Sequence, residues 1–124
     1  MDDDDRNKIE KIIRDRKRAH TVLDRECSKV HHAFQDLEQA AFTEGRLSKK
    51  QKELIALGIS IVINCESCME WHAGQSLAHG ASREEIMETI GVAIEMGGGP
   101  ATVAARFALK ALEYHANRSY NPDG

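Results

Sequence analysis

The residues best suited to chemistry lie in one short stretch, N-C-E-S-C-M-E-W-H, at positions 64–72. Cys65 and Cys68 are separated by two residues, and His72 lies four residues beyond the second cysteine. Two thiols this close can form a disulfide with little movement of the backbone. The same pair could also bind a metal ion, or could be two buried thiols without chemistry. The pattern by itself leaves these three interpretations open.

A helix that starts near Asn64 favours the redox interpretation. It puts Cys65 in the first helical turn, where unpaired N–H groups and the helix dipole stabilise a thiolate. Cys68 follows one turn later on the same face, and His72 is spaced to lie beside the Cys68 sulfur. An imidazole in that position can accept the thiol proton or stabilise the thiolate, which is the activation that a cysteine nucleophile needs.

A histidine used in this way is normally oriented by a third group, often a carboxylate. Glu66 and Glu70 are close in sequence, but we expect both to face solvent on other sides of the helix. Glu53 is the better candidate, because it precedes an apolar run on the neighbouring helix and a short connection joins the two helices. We therefore expect the Glu53 carboxylate to lie within reach of the His72 ring.

A zinc site is the alternative chemistry for these residues. Zinc in a structural site takes four ligands. The local set is Cys65, Cys68 and His72, which Glu53 or His79 could complete. No second C-x-x-C occurs in the chain, so the metal interpretation is weaker than the redox one.

The remaining cysteine and histidines carry no predicted chemistry. Cys27 lies in a heptad-like seam and is expected to be a small buried apolar residue. His79 is expected to cap a helix end, and Trp71 to anchor the core or an interface. No role is predicted for the histidines of the long amphipathic helices, which are His20, His31, His32 and His115.

The elements that must position the site are predicted to be helices, because no segment alternates with a period of two residues. The predicted class is all-α, with about six helices in a single domain. The apolar run 54–63 is expected to be buried on all sides, and residues 116–124 to form a frayed tail. Periodicity, two capping boxes and Pro100 predict helices over about 5–18, 23–41, 48–63, 65–79, 82–96 and 100–115, with no breaker between the first two.

The seam from Leu23 to Ala41 has apolar residues at alternating spacings of four and three, and Gly45 ends it. This is the spacing of a coiled coil. The seam is long for a small monomer to bury, so it predicts helix pairing within an oligomer.

Composition and charge exclude several classes of protein. Hydrophobic residues are 41% and charged residues 30% of the 124, which is neither a disordered nor a membrane composition. The net charge of −3 argues against nucleic acid as a partner. The segment 6–18 holds seven Lys or Arg and two acidic residues, and we interpret it as a solvated helix face. No signal-peptide pattern opens the chain, so we expect a cytoplasmic location, where a C-x-x-C is more often catalytic or metal-binding than structural.

The pattern Glu53-x11-Cys65-x2-Cys68-x3-His72, followed by A-G-Q-S-L-A-H-G-A-S-R-E-E-I, resembles the alkylhydroperoxidase D-like branch of the carboxymuconolactone decarboxylase family. The stretch G-V-A-I-E-M-G-G-G-P-A at 91–101 is also similar to that family. The resemblance covers about residues 40–115. We therefore predict a basic helical extension over 1–19, the family domain over 20–116 and a tail over 117–124.

The resemblance implies an alkylhydroperoxidase D-like helical bundle that assembles as a homo-oligomer, commonly a trimer or a hexamer. It implies thiol-dependent peroxidase or disulfide-reductase chemistry with no metal, haem or other cofactor. The substrate would be a hydroperoxide or a disulfide, and the redox partner a thiol reductant or a partner peroxiredoxin. No nucleic acid and no membrane is expected among the partners.

The resemblance also implies a role for each of the four residues. Cys68 would be the attacking thiolate that becomes a sulfenic acid. Cys65 would donate a proton to the leaving oxygen and then close the Cys65–Cys68 disulfide. His72 would be the base beside Cys68, and Glu53 would orient and charge-balance His72.

One residue departs from the pattern of the family. Its well-known alkylhydroperoxidase D members have a histidine immediately before the second cysteine, whereas this chain has Ser67. The second helper imidazole is therefore missing, or a hydroxyl replaces it. This departure puts the proton relay, the rate and the physiological reductant in question.

Two other functions remain open at this point. The first is a decarboxylase or related lactone enzyme of the same fold that keeps the dithiol for redox sensing. The second is a non-enzymatic helical assembly module whose thiols hold zinc. The retention of both cysteines together with His72 and Glu53 favours the redox branch.

Overall fold

The protein was analysed as a computed structural model, which describes the backbone of residues 1–120 and the side chains of residues 1–118. Within residues 1–120 the chain forms six α-helices and no strand, which confirms the predicted all-α class and helix number. None of these helices is long and apolar enough to span a membrane. The helices are α1 (Asp3–Glu26), α2 (Ser28–Phe42), α3 (Lys49–Val62), α4 (Glu66–Ala78), α5 (Arg83–Gly97) and α6 (Gly99–Tyr120).

Two capping boxes define the starts of α3 and α5, as the sequence predicts. The Gln51 N–H donates to Ser48 Oγ at 3.1 Å, and the Ser48 N–H donates to Gln51 Oε1 at 2.8 Å. Ser82 and Glu85 make the same reciprocal pair at 3.0 and 2.9 Å. Each box satisfies two N–H groups that have no partner within the helix, and so fixes where α3 and α5 begin.

A tight reversal joins α3 to α4 and makes them antiparallel neighbours. Asn64 adopts a left-handed backbone conformation, with φ of 56°, which asparagine tolerates better than most residues. The Asn64 N–H donates to the Ile61 carbonyl at 3.1 Å, and the Cys65 N–H donates to the Ser60 carbonyl at 2.9 Å. These bonds close the end of α3 and place Cys65 directly before α4.

The core lies between α3, α4, α5 and α6, with α1 packed against α4 and α6. Alanines line the buried face of α6, which lets its neighbours approach closely. From α1, Ile9 is fully buried, while Ile12 and Ile13 pack at the edge of the core. The largest fully buried apolar side chains are Ile9, Leu57, Ile61, Met69, Ile86 and Leu112.

The prediction that the apolar run 54–63 is buried on all sides is wrong for the single chain. Leu57 and Ile61 are fully buried, but Ile55 and Ile59 are about half exposed. The reason is that α4, α5 and α6 cover one side of α3 only.

The first two helices differ from the prediction in length and burial. α1 continues to Glu26, well beyond residue 18, and α2 ends at Phe42. Seam residues such as Val30 and Phe34 are exposed within the single chain. Cys27 is also exposed, so its predicted burial is wrong. It lies at the junction of α1 and α2, on a side that the core does not cover.

At the other end, α6 continues to Tyr120, five residues beyond its predicted end. Residues 121–124 of the predicted tail lie outside the described part of the chain. The predicted boundary between residues 19 and 20 falls inside α1. The division into an extension, a domain and a tail stays a prediction.

Candidate active site

Cys65 and Cys68 form a disulfide at the start of α4, with their Cα atoms 5.2 Å apart. Cys65 is the N-cap residue of α4 rather than a residue of its first turn. The Cys68 N–H donates to Cys65 Sγ at 3.3 Å, so the sulfur lies against the free N–H groups of the helix start. This environment favours negative charge on a sulfur once the disulfide is reduced.

The structure brings Glu53 and His72 together, as expected. His72 Nδ1 lies 2.7 Å from Glu53 Oε2. The Glu53 side chain is 4% exposed and the His72 side chain 17% exposed. An ionised carboxylate only accepts hydrogen bonds, so Nδ1 carries the hydrogen. Nε2 is then the ring nitrogen that can exchange a proton with a thiol or a substrate.

Three helices position this pair. α3 carries Glu53 in its second turn, and α4 carries His72 one turn beyond Cys68. Phe42, the last residue of α2, stacks on the His72 ring with a centroid distance of 5.5 Å and an interplanar angle of 18°. The stacking and the carboxylate bond together fix the orientation of the imidazole. Phe42 is not among the residues predicted for the site, because no local pattern predicts where the end of α2 packs.

Glu70 does not face solvent, so that prediction is wrong. Its side chain is 2% exposed, forms an ion pair with Arg16 of α1, and lies 2.7 Å from His115 Nε2 of α6. The physical reason is that α1 and α6 cover this side of α4. His115, for which no role was predicted, therefore takes part in a buried polar network. A signal for the burial of Glu70 exists in the sequence, because Ala73 lies three residues further along the core-facing stripe.

Two opposing effects set the pKa of Glu70. Burial raises the pKa, whereas the hydrogen bonds from His115 and Arg16 and the charge of Arg16 lower it. The interactions with His115 and Arg16 prevail, and the pKa lies below its ordinary value of 4.5. Glu70 is therefore an anion at neutral pH and binds its partners as such.

Within the described residues, no group of three or more His, Cys, Asp and Glu side chains has the arrangement of a metal site. Both sulfurs of the C-x-x-C are joined in the disulfide in this form of the protein. Two side-chain pairs involve the histidines near the α1–α2 junction. His31 Nε2 lies 3.1 Å from His20 Nδ1, and His32 Nε2 lies 2.6 Å from Asp24 Oδ1.

Replacing Glu70 by glutamine should lower the free energy of unfolding at neutral pH by about 1.5–3 kcal/mol, the scale of a charged hydrogen bond lost from a buried site. Because folding lowers the pKa of Glu70, its stabilising contribution is present above about pH 4.5 and is lost as the pH falls through the lowered value. The difference between wild type and Glu70→Gln should therefore shrink at acidic pH. Urea unfolding at a series of pH values, followed by circular dichroism, measures this difference.

The matched control is Glu113→Gln, which changes an exposed carboxylate of α6. It should alter the unfolding free energy by no more than about 0.5 kcal/mol. A Glu70→Gln difference that stays constant from neutral to acidic pH would contradict the assigned pKa direction.

Comparison with known proteins gives the site its family context. A protein of Cupriavidus necator, itself uncharacterised, is 43% identical over 82 residues, which are 66% of this chain and 70% of that protein. An uncharacterised protein of the cox locus of Paracoccus denitrificans is 39% identical over 84 residues, or 68% of this chain and 76% of that protein.

Two solved structures share the fold. The apo form of a carboxymuconolactone decarboxylase family protein from Legionella pneumophila has a TM-score of 0.85 and 35% identity, and the match covers 89% of this chain and 98% of that one. A protein of the same family from Thermotoga maritima is described as a possible participant in the antioxidative response. It has a TM-score of 0.83 and 29% identity, and the match covers 92% of this chain and 97% of that one.

The family model of the carboxymuconolactone decarboxylases matches residues 28–111, a span that includes all of α2 to α5 and all four residues of the dithiol site. With this match and the two structural neighbours of the same family, the chain belongs to the carboxymuconolactone decarboxylase family.

Proposed function

We propose that the protein is a thiol-dependent oxidoreductase that cycles Cys65 and Cys68 between dithiol and disulfide and reduces hydroperoxides or disulfides. The observation that carries the proposal is the buried hydrogen bond of 2.7 Å between Glu53 and His72, one helical turn from a cysteine of the pair. A C-x-x-C alone is common to several chemistries. A C-x-x-C with an oriented imidazole has the parts that a cysteine nucleophile needs.

In the proposed cycle with a peroxide, His72 Nε2 accepts the proton of the Cys68 thiol. The Cys68 thiolate attacks one peroxide oxygen, and the O–O bond breaks. Cys68 becomes a sulfenic acid, and the leaving oxygen takes the proton of Cys65 and departs as an alcohol. The Cys65 thiolate then attacks the Cys68 sulfur and displaces its hydroxyl group. The hydroxyl takes the proton from His72 and leaves as water. The peroxide has gained two electrons, and the two thiols have become one disulfide.

A thiol reductant or a partner peroxiredoxin is the proposed redox partner of the disulfide. An incoming thiolate would attack one sulfur of the disulfide and release the other as a thiolate. A second exchange would then restore both thiols. The Thermotoga maritima neighbour, with its described connection to the antioxidative response, supports this direction. A cytoplasmic location is part of the same proposal, since a dithiol needs a reducing compartment to return to its active form.

The cysteine variants test the cycle directly. Cys68→Ser should abolish turnover of hydroperoxides, because the hydroxyl cannot replace the thiolate as the attacking group. Cys65→Ser should react once and stop with a sulfenic acid on Cys68, since no second thiol is present to close the disulfide. Coupled peroxide assays measure turnover, and mass spectrometry after trapping with dimedone detects the sulfenic acid.

Cys27→Ser is the matched control, because Cys27 is exposed and remote in sequence from the pair. It should leave turnover unchanged. Peroxide turnover that persists in Cys68→Ser would contradict the proposal. Turnover of a carboxymuconolactone-like substrate after both thiols are blocked would favour the lactone enzyme instead.

A change at Glu53 tests whether the imidazole is oriented for catalysis. Glu53→Gln should lower turnover on the order of a hundredfold, because general-base catalysis contributes about 10²–10⁴ and depends on the tautomer of His72. A chemical oxidant should still close the disulfide, since both cysteines remain. Initial rates as a function of pH separate the loss of the base from a loss of folded protein.

Glu84→Gln, at an exposed position in the first turn of α5, is the comparison for this variant. It should have wild-type rates. If Glu53→Gln is also as active as wild type at every pH, the Glu53–His72 bond is structural and the base lies elsewhere.

We also propose that the protein assembles as a trimer or a hexamer. Two apolar surfaces of the single chain support this proposal. The first is the seam of α2, where Val30, Phe34 and Leu37 are more than half exposed. The second is a cavity of about 500 Å³ between α3 and α5, which exposed residues such as Ile59 and Met96 line. Apolar surface of this extent marks an interaction site more often than a free surface.

Light scattering during size-exclusion chromatography should give three or six times the mass of one chain. Phe34→Asp should lower that mass, because it puts a charge into the seam of α2. Gln39→Asp, which adds the same charge on α2 outside the seam, should not change it. A wild-type protein with the mass of a single chain would contradict the assembly.

A further inference from the structure

Both residues between the two cysteines are held by basic side chains of α1. Lys8 Nζ donates to Glu66 Oε2 at 2.9 Å. Arg16 Nη2 donates to the Ser67 carbonyl at 3.0 Å and to Ser67 Oγ at 3.2 Å. α1 ends before residue 28, where the match to the family model begins. The basic helix, interpreted from the sequence as a solvated face, therefore contacts the redox motif itself.

Packing and pairing restrain Arg16 at this position. Ile9 of α1 is fully buried, and Ile13 packs at the edge of the core, so apolar contacts hold α1 in the two turns that precede Arg16. The same guanidinium nitrogen has two hydrogens: one is shared between the two oxygens of Ser67, and the other pairs with the buried Glu70. The guanidinium carbon lies 5.2 Å from the centre of the Trp71 ring, within the range of a cation–π contact.

We propose that Arg16 is a positioning residue of the Cys65–Cys68 dithiol, which supplies a fixed positive charge and a polarised Ser67 hydroxyl where the family pattern has a helper imidazole. The inference rests on the proposed redox function, because it concerns how reactive the reduced dithiol is. It goes beyond that function by assigning a role to α1 and to the serine that departs from the pattern.

The hydroxyl of Ser67 is one group through which Arg16 can act on the dithiol. Because Ser67 Oγ accepts a hydrogen bond from the guanidinium, its own hydrogen is left to donate. A hydroxyl that accepts from a cation becomes a stronger donor. Such a donor, directly before Cys68, can stabilise a thiolate or the oxygen that leaves from a peroxide.

Arg16 can also act on the dithiol through the charge balance along α4. Glu70 is buried and lies two residues beyond Cys68. Paired with Arg16, it adds no net charge to the surroundings of the dithiol. Without Arg16, an anion held in the same low-dielectric region would oppose the formation of a thiolate. Arg16 therefore favours the thiolate in two ways, by its own charge and by neutralising Glu70.

Other charged groups also surround the motif, and they come from each helix packed on α4. The charged groups that lie on α4 or bond to it are Lys8 and Arg16 from α1, Glu53 from α3, His115 from α6, and Glu66, Glu70 and His72 of α4 itself. A small cavity next to Glu66 is lined by three further charged groups, which are Asp5, Arg106 and Lys110. Among the described side chains, Arg16 is the cation that bonds to the backbone between the two cysteines.

The test is the pH dependence of alkylation of Cys65 and Cys68 in the reduced full-length protein, with iodoacetamide as the probe and with the exposed Cys27 replaced by serine in every variant. Arg16→Met should raise the pH at which the alkylation rate is half-maximal by about one unit, which is a tenfold smaller thiolate fraction at lower pH. Arg16→Lys keeps the charge but loses the planar fork, and should give an intermediate value. Arg14→Met removes an exposed charge from the same helix and should match wild type.

A second variant guards against loss of folding, because Arg16→Met leaves Glu70 buried without its cation. The double variant Arg16→Met/Glu70→Gln removes both charges, and should give a midpoint between those of wild type and Arg16→Met. Circular dichroism identifies the variants that fold. If Arg16→Met does not fold, the double variant and Arg16→Lys decide the matter.

The proposal is overturned if the midpoint pH of alkylation in Arg16→Met equals that of wild type. It is also overturned if the midpoint pH of the double variant equals that of wild type. The measurement requires no turnover, so it is independent of the peroxidase assays. A protein without peroxide turnover but with the expected midpoint shift would lose its proposed function and keep the role of Arg16. The reverse result would retain the function and remove only the role of Arg16.

Discussion

The antiparallel pairing of α3 and α4 is the constraint on which the site depends. The reversal takes only three residues, and the left-handed conformation of Asn64 is what allows it. At about 1.5 Å per residue, Glu53 lies roughly 14 Å before the end of α3, and His72 lies roughly 9 Å after the start of α4. The two side chains span the remaining offset. A longer connection would let the helices slide against each other, and the carboxylate would no longer meet the ring.

Two buried carboxylates, Glu53 of α3 and Glu70 of α4, have different partners, which give them different properties. Burying a carboxylate costs several kcal/mol unless charged partners compensate. Glu70 pairs with the guanidinium of Arg16 and with the ring of His115. These partners lower its pKa, so Glu70 is an anion at neutral pH and joins α1, α4 and α6. Glu53 is bonded to the imidazole of His72, which lies one helical turn beyond Cys68. This pair lies beside the dithiol, and in the proposed cycle it is the pair that moves a proton.

Local signals were sufficient for the number of helices, for the starts of α3 and α5, and for the contact between Glu53 and His72. The capping boxes at Ser48 and Ser82 gave the starts of two helices, and the spacing of Cys65, Cys68 and His72 follows from helical geometry alone. The contacts that the sequence analysis missed all join residues far apart in the chain. Arg16 and Glu70 are 54 residues apart, and Glu70 and His115 are 45 apart. Local periodicity contains no information on which distant helix covers a given face, so Glu70 was assigned to solvent and Cys27 to the core.

A guanidinium beside Ser67 differs from the imidazole of the family pattern in how its charge responds to pH. An imidazole before the second cysteine would lose its charge as the pH rises through about 6.5. A guanidinium that reaches the same place from α1 keeps its charge, so its support for a thiolate does not vary over the physiological range. In this chain the contribution of Arg16 to the dithiol is then constant over that range. The cost is structural rather than chemical, because the charge is delivered by a separate helix and depends on α1 remaining packed through Ile9.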